Sequence, residues 1–201
     1  MSVEMISLPP PVTSGSVSLE EAIHRRISRR EFQEKSLELF QAGQLLWSAG
    51  GLGITGAAGV SRAAPSAGAT YPLELYLAAG EVKGLGKGLY RYEYRDHALE
   101  VIGRDDLRAG LARASLGQAM IARAAATIII AAHFERTTRR YGKRGYRYVY
   151  MEAGYVSENI YLQAEALGLA TVAVGAFDDG GVKKLTALEG TPLLLMPVGP
   201  R

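Results

Sequence analysis

Two short runs, Tyr90-Arg91-Tyr92-Glu93-Tyr94 and Ala98 to Ile102, are separated only by Arg95-Asp96-His97. A polar gap this short between strand-forming runs folds the second back on the first as an antiparallel hairpin. Elsewhere the chain carries segments of both periodicities. Leu73-Glu74-Leu75-Tyr76-Leu77 alternates as a strand, Thr127 to Ala132 is apolar throughout as in a buried strand, and Thr171 to Phe177 and Leu193 to Val198 read as further strands. Between them lie helical patterns. Ser18-Leu19-Glu20-Glu21 has the form of a capping box, with Leu19, Ile23 and Ile27 following at helical spacing. A second helix is expected over Ser36 to Ser48, others from Asp105 to Ser115, on to Arg123, and from Asp179 to Leu188. Gly50 to Gly59 reads as a loop. The longest helix spans Tyr146 to Leu167, with Val149, Ala153, Val156, Ile160, Ala164 and Leu167 as its stripe. Gly154 in its middle costs about 1 kcal/mol relative to Ala, a cost that close packing against another backbone would offset. A hairpin among scattered helices favours α+β over regular βαβ alternation.

The boundaries on function are broad. At 201 residues one domain is the simplest division, with residues 1–17, stiffened by Pro9-Pro10-Pro11, as an extended arm and 18–201 as the domain. Apolar residues at 48% and charged residues at 21% match an ordinary globular protein, and a net charge of +3 suits anionic small molecules as well as nucleic acid. The absence of cysteine excludes disulfides, zinc–thiolate and iron–sulfur sites and thiol nucleophiles. The apolar run from Ala124 to Ala132 is too short to span a bilayer, and no signal pattern opens the chain, so a cytoplasmic location without membrane contact is the expectation.

Two segments carry chemistry. Arg26, Ser28 and Arg30 alternate in Arg26-Ile27-Ser28-Arg29-Arg30-Glu31-Phe32, expected at the C-terminal end of the first helix. Guanidinium groups bind phosphate oxygens in pairs and a hydroxyl adds a donor, although a solvated basic helix end is an equal reading of the same residues. Pro65-Ser66-Ala67-Gly68-Ala69 is either a plain loop or a place where missing side chains let backbone approach a flat ring. Together the two describe a pocket for flavin mononucleotide. Gly51-Leu52-Gly53-Ile54-Thr55-Gly56 matches the dinucleotide glycine pattern but follows a helix, and is rejected on that context. Arg136 to Arg147 holds six basic residues with Tyr141 and Tyr146 between them, most simply a solvated face, otherwise a nucleic-acid surface or the rim of a site. His24, His97 and His133 lack metal-ligand or triad spacing and are taken as structural, with no metal site expected.

These segments, with Leu8-Pro9-Pro10-Pro11, Leu45 to Gly51, Arg62 to Pro72, Gly88 to Tyr92, Tyr146 to Leu169, Val174 to Asp179 and Met196 to Gly199, resemble the nitroreductase superfamily, and within it the SagB-type, thiazoline-oxidase-like dehydrogenases. The resemblance covers nearly the whole chain. It implies an α+β fold with a mostly antiparallel central sheet flanked by helices, and a homodimer holding two FMN molecules at its interface. It also implies that Arg26, Ser28 and Arg30 hold the phosphate and reach the pyrimidine edge, that Pro65, Ser66, Ala67 and Ala69 come from the other subunit, that Gly175 and Ala176 lie over N5, and that Arg201 reaches the phosphate. The activity implied is ping-pong hydride transfer through flavin N5, from NAD(P)H to an electron-poor small molecule, without further catalytic side chains and without nucleic acid. Azoline dehydrogenation in peptide maturation and a non-catalytic flavin-binding subunit are the alternatives. Where azoline-oxidising relatives carry a Lys-Tyr pair, this chain has Arg140-Tyr141, and an arginine does not act as a base near neutral pH. Thr70 also departs from the usual apolar residue.

Overall fold

The computed structural model describes residues 4–56 and 59–201. A seven-stranded sheet forms the centre, in the order β1-β6-β5-β4-β7-β9-β8. Its strands are β1 Met5–Ser7, β4 Leu73–Ala79, β5 Gly88–Glu93, β6 Ala98–Gly103, β7 Ala126–Ala132, β8 Leu169–Thr171 and β9 Thr191–Pro200, and every neighbouring pair is antiparallel. The expected hairpin is β5–β6, and the β1 strand of the arm closes the edge beside it. His97 in the hairpin turn fastens the arm further, with Nε2 2.9 Å from the Pro9 carbonyl and Nδ1 2.8 Å from the Tyr92 hydroxyl.

Strands β4 and β7 are buried on both faces, which is why β7 shows no polar alternation. On one face Leu75, Leu77, Ile128 and Ile130 pack beneath α2 (Leu39–Gly50) and α6 (Arg144–Ala166). On the other, Tyr76, Ala78, Ile129 and Ala131 meet α3 (Arg108–Ala114), α4 (Ala119–Arg123) and α7 (Asp179–Thr186). The chain is therefore α+β, a helix–sheet–helix sandwich.

Several elements differ from their sequence patterns. Helix α1 (Leu19–Arg25) is capped by Ser18, whose Oγ accepts from Glu21 N at 3.1 Å, but it stops before Ile27. Its apolar stripe is unpartnered: Leu19 and Ile23 are more than half exposed, and Ala22 alone is buried. Residues 50–59 are not a plain loop, since β2 (Leu52–Gly56) pairs with β3 (Gly59–Arg62) as a second hairpin. Residues Ala57 and Ala58 of that stretch lie outside the described residues. The strand expected over Thr171 to Phe177 ends at Thr171, with Val174 alone bridging Leu195 beyond it. The basic run starts as a helix, α5 (Phe134–Tyr141), packed on α6. Gly154 has no atom within 4 Å of where a Cβ would stand, so no close packing within the chain offsets its helix cost.

Candidate functional site

The alternating Arg26-x-Ser28-x-Arg30 segment sits beyond the end of α1, outside any helix, not on the helix as its sequence suggested. This change of conformation sorts the side chains. Arg26 turns toward α6, its guanidinium 5.2 Å from the Tyr161 ring centroid and 3.9 Å from Glu158. Ser28 and Arg30 instead line an open cleft of about 590 Å³, together with Arg29, Glu31 and the C-terminal Arg201.

Helix α6 holds this cleft in shape with two residues absent from the sequence reading. Buried Glu165 takes Arg29 on one carboxylate oxygen and Arg201 Nη1 on the other, the latter at 2.7 Å. The Tyr161 hydroxyl lies 2.9 Å from Ser28 Oγ and accepts the Ala173 N–H at 2.7 Å. Ser28 is thereby tied to the segment that carries Gly175 and Ala176, two residues further on. Arg30 is exposed and has no acidic partner among the described residues. A phosphate would find one guanidinium without an ion pair among the described residues, one hydroxyl and two further arginines, Arg29 and Arg201, whose charge is shared with Glu165, alongside the Glu31 carboxylate.

Gly175 is exposed, and a Cβ there would meet only Leu194 Cδ2 at 3.8 Å, ordinary contact. Nothing inside the chain demands glycine, so any demand comes from what lies against it from outside. Ala176 is exposed as well, its carbonyl accepting from Gln118 Nε2 at 3.1 Å. Such a bare surface fits the flat ring of a flavin. The donors of the cleft fit its phosphate.

The Pro65–Ala69 loop stands elsewhere. It contains a short helical turn, Ala67–Ala69, with φ of 59° at Gly68, 54° at Ala69 and 42° at Tyr71. Positive φ suits glycine but strains alanine and tyrosine, so surrounding contacts must impose the shape. They come from α5 and α6. Arg140 Nη1 donates to Gly68 O at 3.1 Å, Arg136 Nη1 to Tyr71 O at 3.3 Å, and Thr70 Oγ1 lies 2.8 Å from Thr137 Oγ1. Thr70, unexplained in sequence, is thus a tether, and Arg140 spends its guanidinium on the loop. Replacing Arg140 with Ala should loosen the loop without unfolding the protein: faster proteolysis near residues 65–70, with global stability lowered by about 1 kcal/mol or less.

Ser66 Oγ donates to Glu152 Oε2 of α6 at 2.6 Å. Burial pushes the Glu152 carboxyl up to about 7, against the opposing pull of the Ser66 hydroxyl and of nearby Arg62. The folded state then holds a proton that the unfolded chain, near 4.5, has lost. Between about pH 4.5 and 7 the native state binds more protons, so this group's contribution to stability falls as pH rises. Melting curves of wild type against Glu152→Gln at pH 5 and pH 8 check the sign. The variant should gain relative to wild type at pH 8.

The three candidate segments therefore do not meet within one chain. Ser28 and the Ala173 backbone, two residues before Gly175, meet at Tyr161, whereas Ser66 is tied at Glu152, nine residues earlier on α6 and so roughly 13 Å away along the helix axis. Glu152, Tyr161 and Glu165 left a trace in the sequence. Glu152 and Tyr161 lie at i+3 or i+4 spacing from members of the apolar stripe, the pattern of a polar side chain turned inward, and Glu165 follows Tyr161 by four residues.

An antiparallel sheet of this order between two helical layers, with a basic segment held against its long helix, defines an α+β class. The Nitroreductase family profile matches residues 23–200, and the chain belongs to that family. It is 44% identical over 183 residues to MJ1384 of Methanocaldococcus jannaschii, itself assigned by name to the nitroreductases, covering 91% of both chains. It is 28% identical to the microcin B17-processing protein McbC of Escherichia coli, over 65% of this chain and 50% of that one. Among solved structures, a Ralstonia eutropha protein assigned to the nitroreductases superposes with a TM-score of 0.83 at 29% identity, over 98% of this chain and 89% of that one. Among the described residues no helix is long and apolar enough to cross a membrane, and no group of acids and histidines is placed to hold a metal.

Proposed function

We propose that this chain is an FMN-dependent oxidoreductase, residues 18–201 forming one flavin-binding domain, that works as a homodimer with the cofactor between subunits. The observation that carries the reading is the convergence of Ser28, Arg30 and Arg201 on one open cleft, with Arg30 in no ion pair among the described residues. The separation of that cleft from the Pro65–Ala69 loop supports a shared site. A loop held roughly 13 Å along α6 from Ser28 is available to a cofactor seated on a second copy of the chain. Exposed Tyr150, Met151 and Tyr155 on α6 and Leu19 and Ile23 on α1 supply apolar surface for such a copy.

Flavin, when bound, supplies the atom that accepts and returns hydride. The chain's own residues do the rest. Ser28, Arg30 and Arg201 hold the phosphate and place a fixed positive charge beside the cofactor, where it favours the more negative reduced form. The Gly175 backbone N–H offers a donor toward the ring, and the lack of a side chain there keeps the face open to reactants. The proposed reductant is NAD(P)H and the proposed acceptor an electron-poor small molecule, each visiting the same face in turn. Azoline oxidation is the second reading, supported by the similarity to McbC. Against it stands Arg140, whose Gly68 contact leaves it a tether and whose chemistry denies it a base's role.

FMN titrated into the purified protein and followed by quenching of flavin fluorescence tests the proposal. Saturable binding is expected, with Arg30→Ala weakening it by about thirtyfold, the equivalent of ~2 kcal/mol for a hydrogen-bonded charge. A protein that stays colourless after reconstitution, or an Arg30→Ala variant that binds as tightly as wild type, would overturn it.

A further inference from the structure

The strained Pro65–Ala69 loop is pinned to the core through one buried carboxyl group. Glu152 lies on the inner face of α6, 5% exposed, and its Oε2 receives the Ser66 hydroxyl at 2.6 Å. The same Ser66 oxygen accepts the Tyr71 N–H at 2.9 Å. A serine hydroxyl has one hydrogen and two lone pairs, so the Tyr71 contact leaves one hydrogen and one lone pair to assign. An ionised Glu152 takes the hydrogen. A protonated Glu152 donates its own hydrogen to the remaining lone pair, and the Ser66 hydrogen is then free to turn outward.

The surroundings leave Glu152 able to make that change. It lines a small cavity of about 20 Å³, room for a single water, whose titratable and charged neighbours are Arg62, Tyr71, Glu74, Tyr92 and Tyr94. Arg62, at the end of β3, is stacked between Tyr71 and Tyr94, 4.5 Å and 3.5 Å from their ring centroids, and forms no ion pair with Glu152. Glu74, on β4, is paired with Arg136 at 2.6 Å. On its outer side Glu152 borders the cleft beneath the loop, where Tyr148 and Tyr155 of its own helix are the titratable groups. No cation is bonded to the carboxyl among the described residues, and burial holds its proton to about pH 7.

We infer that Glu152 is a positioning residue for the flavin-contacting loop, its carboxyl setting which way the Ser66 hydroxyl donates and so whether that hydrogen is offered to a bound flavin. The inference rests on the reading that this loop touches the cofactor. It makes the cofactor's hold on the protein sensitive to the protonation of a residue that does not touch it. The step is proton exchange with solvent alone, without redox change.

FMN affinity of wild type and Glu152→Gln at pH 6 and pH 8, by fluorescence quenching, tests it. The glutamine amide donates to Ser66 Oγ as the protonated acid does. Because the phosphate of FMN titrates near pH 6, the readout is the ratio of the two affinities at each pH. At pH 6 the two proteins should bind alike. At pH 8 wild type should bind about tenfold more weakly than the variant, the scale of one hydrogen bond to the ring. In a Ser66→Ala background the tenfold gap should vanish. If Glu152→Gln fails to fold, Ser66→Ala against wild type gives the same answer: equal affinity at pH 8, about tenfold loss at pH 6. A ratio that does not change with pH, or a gap that persists without the Ser66 hydroxyl, would overturn the inference while leaving the flavin reading intact. Absence of FMN binding at every pH would overturn both.

Discussion

Replacing Glu165 with Ala is expected to destabilise the protein by about 3 kcal/mol. The carboxylate is 4% exposed and holds Arg29 and Arg201 together, one on each oxygen. Without it two guanidinium groups face each other at a partly buried site. Removing one member of a buried ion pair costs about 3–5 kcal/mol, because the charge left behind is neither paired nor fully hydrated. The arginine side chains keep 23% and 30% of their exposure, which lets water return to them and places the effect at the low end. In urea, with a slope of about 2–3 kcal/mol/M, the midpoint should fall by about 1 M or more. Millimolar phosphate should recover part of the loss, because an anion in the neighbouring cleft replaces the missing charge. A shift equivalent to less than about 1 kcal/mol would mean that the two arginines are held by other contacts.

The second large effect is expected at Tyr161. Its hydroxyl accepts from Ala173 N and shares a hydrogen bond with Ser28, joining the cleft proposed to take the phosphate to the segment before Gly175. Tyr161→Phe keeps the ring, and with it the stacking of Arg26, but leaves the Ala173 N–H without its acceptor. An unsatisfied donor in a largely buried setting costs about 1–3 kcal/mol, so a loss of about 2 kcal/mol is expected in chemical denaturation. FMN affinity should drop about tenfold in the folded variant, since Ser28 and Gly175 lose their common reference point. A destabilised variant with unaltered FMN affinity would show that Tyr161 supports the fold alone.

The strands and the long helix were legible because their signals are local. The β5–β6 hairpin follows from a three-residue gap between pairing runs, and β7 from an unbroken apolar stretch that only a strand covered on both faces tolerates. Errors arose where a local pattern had two outcomes. Thr171 to Phe177 has strand composition, yet after Thr171 the backbone turns to place Ala173 against Tyr161, a contact formed by residues twelve positions apart. Leu19 and Ile23 have the spacing of a core-facing stripe, but no element among the described residues covers them. The glycine-rich stretch after α2 reads as a loop because β2 and β3 are short, and its pairing depends on each strand finding the other.

The site divides in the same way. Residue chemistry singled out Arg26, Ser28, Arg30 and the Pro65–Ala69 loop, because donors for a phosphate and bare backbone for a ring are properties of residue type, and the family resemblance added Arg201. How the arginines are disposed was decided by the chain leaving helical geometry after Arg25, which sends Arg26 to α6, holds Arg29 on Glu165 at the cleft wall and leaves Arg30 exposed in the cleft. That Glu152, Tyr161 and Glu165 hold these groups was likewise decided in three dimensions. A buried polar side chain is defined by its partners, and these partners are separated from it by 86, 133 and 136 residues of sequence. Side-chain chemistry was thus fixed along the chain, while orientation and charge balance came only from packing, because both depend on what lies across a contact.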